Sequence, residues 1–489
     1  MRRLVSRRHL LVGFGSAALL SACGGAVPTS VPPPAAKPTD APKPAAADPT
    51  KPAAPAAATS APAAAAATTA PAAAAPASGT NVVKIRLAMS NSQEAVQLWL
   101  NPMTQAFQAK YPNIQLEHIT TPTTDESTQK ILAMFAANDP AEVLNLPATR
   151  DYKRVAVRKV LLDLEPYYKK DQFDPNVFAP VARDLALYCG KYYGFPMHLS
   201  FHVAYYNKNL FKEAGVPLPD DYVEKKRWTM GVSDDGYLEA MRKLTRGDGD
   251  KRVWGDTRTT DLHVVNYMLF SFGGKLYNED RSKFVVPDDP NSIKALQYMV
   301  DLVLKEKVYP TSQETQTLGD TFLAGRRALN KTGHNSSAAM EIARQAGKID
   351  PGMTFAPAGP AGLVPREGPD AIAMPKDGKN KDQAWTFLSW TVSKEGMQIY
   401  TKGGRGATPR LDQLSDPEYQ KNFYPWEKPD VFLETVKLAK TDVAVNNSEA
   451  TSIFNREMDL AYLGKKTVQE AMKTAKAEID PLLEGGERC

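Results

Sequence analysis

Val82-Val83-Lys84-Ile85-Arg86-Leu87-Ala88-Met89 is followed by Ser90-Asn91-Ser92, by an apolar stripe of Val96, Leu100, Met103 and Phe107, and then by Tyr111-Pro112-Asn113 and Ile114-Gln115-Leu116-Glu117-His118-Ile119. The first run has the β-branched content and short length of a strand. Serine and asparagine side chains cap helix N-termini, and the spacing of the stripe predicts a helix over about 93–110. The Tyr-Pro-Asn turn stops that helix, and Ile114–Ile119 alternates as a second strand. A further helix is expected near 125–138, carrying Ile131, Met134 and Phe135, with Asn138-Asp139-Pro140 as its breaker and Glu142–Leu146 as a third strand. Strand, helix and strand at this spacing form the βαβ unit of a parallel sheet.

Downstream, Phe201–Tyr206 reads as another strand, and helical patterns cover 236–245, 261–272 and 291–305. Phe322–Leu329 reads as a short helix leading into a strand. Trp385, Leu388, Val392 and Ile399 make one apolar stripe, and Val468, Ala471, Met472, Ala475 and Ile479 make the last one. No repeat of solenoid period interrupts this order.

The region upstream of Val82 has a different composition. Arginines lead into a 13-residue apolar run, Leu10–Ala22, too short for the roughly 20 residues of a membrane-spanning helix. The run ends at Leu20-Ser21-Ala22-Cys23, which resembles the bacterial lipobox and marks Cys23 for lipidation, so 1–23 reads as a lipoprotein signal peptide. Ser6-Arg7-Arg8-His9-Leu10-Leu11 also resembles the twin-arginine export motif, which leaves the export route open. Residues 24–80 hold 13 of the 38 prolines among many alanines, and they lack the large apolar side chains a core needs. They read as a disordered tether, about 40–45 Å long as a coil and on the order of 180 Å if drawn out as polyproline II. Residues 81–489 then form the folded part.

Four arginines (2, 3, 7, 8) and three lysines (37, 43, 51), set against Asp40 and Asp48, account for the whole net charge of +5. The folded part is neutral, and its bulk charge gives no sign of the basic patch that nucleic-acid binding requires. Of three cysteines, Cys189 and Cys489 remain beside the lipid site. Two thiols make no disulfide framework; a buried Cys189 and a frayed Cys489 are expected rather than one long-range bridge.

Several segments resemble the extracellular solute-binding proteins of ABC importers, in the group that includes sugar binders. These are Phe107–Ile114, Tyr193-Gly194-Phe195-Pro196 followed by Tyr205–Gly215, Phe322–Ala328, Ala384–Trp390 and Gly404–Arg410. The resemblance implies an α/β, two-lobed periplasmic-binding-protein-like fold of type II, with discontinuous lobes joined by hinge crossings. It implies lobe 1 at about 82–197 and 322–365, and lobe 2 at about 198–321 and 366–489. It further implies a monomeric, lipid-anchored protein on the outer face of the bacterial cell membrane. This protein would capture a small solute, a carbohydrate by the family's habit, and deliver it to the membrane subunits of an ABC permease. Neither cofactor nor catalytic group is implied.

Ligands of open α/β sheets bind beyond the carboxyl ends of the strands. The candidate ligand contacts are therefore Ser90, Asn91 and Ser92 after the first strand and Thr149, Arg150 and Asp151 after the third, with Thr149 and Arg150 retained. On the crossing segment, His198, Ser200 and His202 lie two apart and share a face if the chain is extended. Trp254 offers a ring for stacking and Asp256 a carboxylate. His334 and Asn335 stand where family members often carry a Gly-x-Trp turn, whose aromatic is absent here, and Arg405 and Arg410 match a family loop. The spacing of His198 and His202 pairs metal ligands only on a helix, and Gly247-Asp248-Gly249-Asp250 lacks the terminal glutamate of a calcium loop, so no metal site is expected. The sequence also lacks Gly-x-Ser-x-Gly and His-Glu-x-x-His. An anion- or peptide-binding variant of the same fold, and a glycoside-active enzyme with paired carboxylates, remain as alternatives.

Overall fold

The computed structural model describes residues 82–90, 96–147, 152–259, 262–318, 321–365, 368, 370–402, 406–440 and 448–483. Val83–Ser90 (β1) pairs in parallel with Ile114–Thr121 (β2) and with Val143–Pro147 (β3). β1 is buried on one face along its length and on the other at Ala88. Ile85, Leu87 and Met89 pack with Met103 and Phe107 of the helix Asn101–Lys110 and with Trp385 and Leu388 of the helix Lys381–Thr391. Ala88 packs on the other side with Leu144, Leu146 and Ile131, the last from the helix Thr124–Ala136. Helices on both faces are what a parallel sheet needs to hide its near-continuous apolar strands.

Leu187–Tyr188 (β4) and Lys191–Tyr192 (β5) form a short antiparallel hairpin, which leads into Gly194–Pro196 (β6). Val203–Asn207 (β7) opens a second sheet. Leu329–Thr332 (β8) and Pro351–Thr354 (β9) flank it, both antiparallel. Asp370–Ala373 (β10) returns to the first sheet, whose order is β2-β1-β3-β10-β6, while the second runs β8-β7-β9. Side chains of β7 alternate. Ala204 and Tyr206 enter a core with the helices Gly236–Leu244, Leu262–Ser271, Pro290–Leu304, Ser448–Tyr462 and Val468–Ile479. Val203 and Tyr205 enter a third core with Met340, Met353, Ala407, Tyr419 and Phe432.

The hydrogen bonding redraws the expected lobes. The segment 322–365, expected in lobe 1, has strands β8 and β9 that pair with β7 in the second sheet. Asp370–Ala373, placed in lobe 2, lies between β3 and β6 in the first. The physical reason is that strands of four residues carry too little local pattern to specify their neighbours, so long-range pairing decides which sheet they join. Phe322–Arg326 is a turn rather than a helix, closed by Arg326 N donating to Thr321 O, with Gly325 at φ +73°. The stripe Trp385–Ile399 divides into two helices, Lys381–Thr391 and Lys394–Lys402. Cys189 is not buried: it is exposed in the β4–β5 turn and disulfide-bonded.

Candidate functional site

β1, β2 and β3 run in parallel, so Ser90, Thr121 and Pro147 finish at one edge of the first sheet. β10 is antiparallel to β3, and β6 is antiparallel to β10, so β6 also exits at that edge, at Pro196. The chain then crosses through 197–202 to β7. In the second sheet, Thr332 at the end of β8 lies opposite Val203, and Thr354 at the end of β9 lies opposite Ala204. The carboxyl ends of β8 and β9 therefore sit at the end of the second sheet nearest the crossing. Two sheet edges of the kind that bind ligands meet at one hinge.

Backbone pairing holds the hinge together. Met197 N donates to Asp370 O at 2.9 Å, which sets the strand returning to the first sheet beside the outgoing one. Leu199 N donates to Ala407 O at 2.7 Å, and Ala407 N to Leu199 O at 3.2 Å, which adds a third strand of chain. The predicted residues on this crossing differ in placement. His198 is buried, its ring stacked on Tyr400 and its Nδ1 3.3 Å from the tyrosine hydroxyl. Gly406 lies beneath it at φ +121°, and a Cβ there would come within 3.0 Å of the imidazole. Ser200 is half-buried and His202 is buried. Only Ser200 of the three is offered to solvent to a useful degree, because the segment is clamped between two other pieces of chain.

Ser200 lies beside the end of β8. A Cβ on Gly333 would stand 2.5 Å from Ser200 Oγ and 2.8 Å from Asn335 Oδ1, so both polar side chains close over a backbone that only glycine leaves room for. Asn335 is exposed. His334 between them turns inward. It is 3% exposed, packed between Phe423 and Phe432, with Nε2 2.9 Å from Glu427 Oε1. Glu427 also accepts from Ser337 Oγ, which contacts the hydroxyl of Tyr205 at 3.2 Å. This polar chain ties β7, the β8 turn and the C-terminal segment into one hinge block.

The remaining described candidates are engaged in the interior. Trp254 is 3% exposed with the Arg252 guanidinium 4.1 Å from its ring centre, which leaves no open face for a sugar. Asp256 is 1% exposed and contacts Lys331 Nζ, while Tyr237 donates to it at 2.8 Å. Burial pulls the Lys331 ammonium below the ordinary lysine range, and the aspartate opposes that shift. Arg410 donates to both oxygens of Asp412, at 3.0 and 2.9 Å, and to Val392 O at 3.1 Å, so its fork is spent on the hinge. Asn91, Ser92, Thr149, Arg150, Arg405 and Cys23 lie outside the described residues. Among the described residues no group of three His, Cys, Asp or Glu side chains could hold a metal, and no helix is long and apolar enough to cross a membrane.

The model of the bacterial extracellular solute-binding protein family matches residues 90–398. The chain belongs to this family. A protein of Brucella abortus named as a binding protein is 25% identical over 412 residues, covering 83% of this solute-binding protein and 95% of the relative. The arabinooligosaccharide-binding protein of Halalkalibacterium halodurans is 24% identical over 344 residues, 63% of this chain and 70% of that one. Among solved structures, an ABC substrate-binding protein from Listeria monocytogenes in complex with cycloalternan superposes with a TM-score of 0.71 at 22% identity, covering 82% of this chain and 99% of its own. A maltose-bound protein from T. maritima gives a TM-score of 0.65 at 22% identity, covering 82% and 100%. The solute-binding protein thus has the α/β two-lobed fold of type II, with discontinuous lobes, and is by family the solute-binding component of an ABC transporter.

Sequence reasoning missed Glu427, the carboxylate that gathers His334 and Ser337. It lies 93 residues downstream of His334, and no local pattern distinguishes it from a surface glutamate. It also missed Lys331, which the placement of Asp256 alone could not supply. A lysine amid Leu329-Asn330-Lys331-Thr332, in a run read as a strand start, was the available signal.

Proposed function

We propose that this solute-binding protein is a monomer anchored by lipid on Cys23 to the outer face of the bacterial cell membrane, and that it captures an oligosaccharide between its lobes for delivery to an ABC permease. The observation that carries this reading is the meeting of two polar sheet edges at one hinge, with Ser90 and Thr121 on one side and Ser200, Thr332 and Asn335 on the other. Hydroxyls and a carboxamide both donate and accept, as the hydroxyls of a sugar require. A ligand touching both edges stabilises the closed form, since its contacts are complete only there. Lobe 1 is taken as 82–196 with 370–402, and lobe 2 as 203–365 with 448–483, while 406–440 builds the hinge. Asn91, Ser92, Thr149, Arg150 and Arg405 complete the ligand-facing set in this reading.

The sugar-binding relatives support a carbohydrate over an anion. So does the placement of His198, one of the residues that would favour an anion, which is buried and stacked on Tyr400. Titration calorimetry of the protein, stripped of ligand by partial unfolding and refolding, tests the proposal with maltotriose, arabinotriose and cycloalternan. One saturable binding event with at least one of them is expected, accompanied by a rise in melting temperature. No heat and no shift with any of the three would overturn the oligosaccharide reading. Mass spectrometry of the N-terminal peptide from membranes tests the anchor, with diacylglycerol expected on Cys23.

A further inference from the structure

The short helix Glu165–Lys170, the turn after it and β5 enclose a surface recess of about 510 Å³ on the first lobe. The rings of Tyr168, Phe173 and Tyr192 form its apolar wall, and all three are half-buried. They stand on Phe195 of β6, itself fully buried, with ring centres 6.2, 5.2 and 5.8 Å from its own. Tyr168 and Tyr192 meet at 85°, which makes a floor and a wall rather than a parallel slot. The recess is set apart from the cleft. Tyr192 precedes β6 by two residues, and β6 reaches the cleft edge only at Pro196. At about 3.3 Å per residue, Tyr192 lies about 13 Å from that edge.

The polar wall is held ready. Asp174 accepts from the backbone N–H and the carboxamide of Asn176, both at 2.9 Å, and Asn176 Oδ1 accepts from Arg183 at 2.8 Å. That leaves Asn176 one amide hydrogen and one lone pair to offer. Among the described residues, nothing takes up the hydroxyls of Tyr168 and Tyr192 or the Gln172 carboxamide. Burial pushes the Tyr192 phenol up to about 12, against the pull of Arg183, so it stays neutral and can both donate and accept. The two charges in the wall are opposite: Lys169, drawn to Glu165 at 2.5 Å, and Asp174. A neutral guest is favoured over an ion of either sign.

We propose that this recess is a second saccharide site, on the flank of the first lobe, which holds one sugar ring of a neutral glycan outside the cleft. A pyranose has an apolar face to lay on an aromatic ring and a rim of hydroxyls that both donate and accept. Perpendicular rings beside unpartnered amide and phenol groups match that shape, whereas a flat aromatic guest would call for a parallel slot. The site goes beyond the cleft reading and shares no residue with it. Holding one unit of a longer glycan here raises the local concentration of the remaining units at the protein surface.

The test is fluorine NMR of the full-length protein labelled with fluorotyrosine, with the resonances of Tyr168, Tyr192 and Tyr400 assigned by single Tyr→Phe changes. Tyr400, stacked on His198, reports on the hinge, and the other two report on the flank. Maltotriose, arabinotriose and cycloalternan are titrated in turn through the millimolar range. At least one should shift Tyr168 and Tyr192 saturably, at a midpoint different from that of Tyr400. Gln172→Gly removes the carboxamide without straining the fold, because Gln172 sits at φ +53°, a region glycine enters freely. It should weaken the flank event about tenfold through lost hydrogen bonds while leaving the Tyr400 midpoint in place. A shift of Tyr400 alone would overturn the flank site and leave the cleft reading standing. Flank shifts alone would support this site and count against the cleft. Silence at all three tyrosines would overturn both. Flank shifts that Gln172→Gly leaves unchanged would overturn the assignment, since they would then be transmitted from elsewhere.

Discussion

The cores of the two sheets solve burial differently. On the face of β1 that meets the helix Asn101–Lys110 the interior is apolar and aromatic: Ile85, Leu87, Phe107, Phe195 and Trp385 interlock, while the ion pair of Arg86 with the buried Glu142 lies on the strand's other face. Behind β8 the ion pair of Lys331 with Asp256 is buried, and the hinge holds a buried polar cluster of Glu427 with His334 and Ser337. An apolar core loses stability in proportion to the volume removed. A buried pair fails through the partner left behind, since an uncompensated charge in the interior costs more than the pair itself contributes. The comparison therefore predicts that isosteric changes are mild in the first core and severe in the second.

The largest effect is expected from Asp256→Asn, which keeps the shape and strands Lys331. Urea unfolding should show a loss of about 3–5 kcal/mol, much of it recovered when Lys331→Met is added. A loss below about 1 kcal/mol for the single change would break the comparison. Leu87→Ala in the first core should cost about 2–4 kcal/mol by cavity formation, independently of pH. Glu341 is intermediate. Hydrogen bonds from Arg344, at 2.7 Å, and from Trp426 Nε1, at 2.9 Å, hold its carboxyl at about 2, against the desolvation that would raise it. Its folded pKa lies below the unfolded value, so its contribution is present at neutral pH and is lost as pH falls from about 4.5 toward 2. Acid titration of the melting temperature should be flatter in Glu341→Gln, which should lose roughly 1–2 kcal/mol at pH 7. The smallest effects sharpen the contrast by ignoring it. Thr123 caps a first-lobe helix and Thr467 a second-lobe one, both exposed, each accepting from the third backbone N–H onward. Either alanine substitution should cost about 1 kcal/mol.

The same difference decides what the sequence alone makes legible. The alternation of Ile85, Leu87 and Met89 and the stripe of Met103 and Phe107 are local, so the βαβ start was legible residue by residue. The long helices Pro290–Leu304 and Val468–Ile479 were legible for the same reason. Membership of β8, β9 and β10 was not, because four-residue strands carry too little pattern to name their neighbours. At the site, strand order pointed correctly to the edge that Ser90 occupies. It could not tell that His198 would stack on Tyr400, or that Arg410 would be consumed by Asp412 and Val392. An extended segment exposes alternate residues only when nothing covers its second face, and here Gly406 and Ala407 cover it.

The central claim, that two lobes close on a dissolved oligosaccharide, is tested most directly by small-angle scattering of ligand-stripped protein before and after saturation with whichever sugar calorimetry selects. The account predicts a smaller radius of gyration and a profile that returns to its starting form when the sugar is removed. An unchanged profile at full occupancy would contradict it.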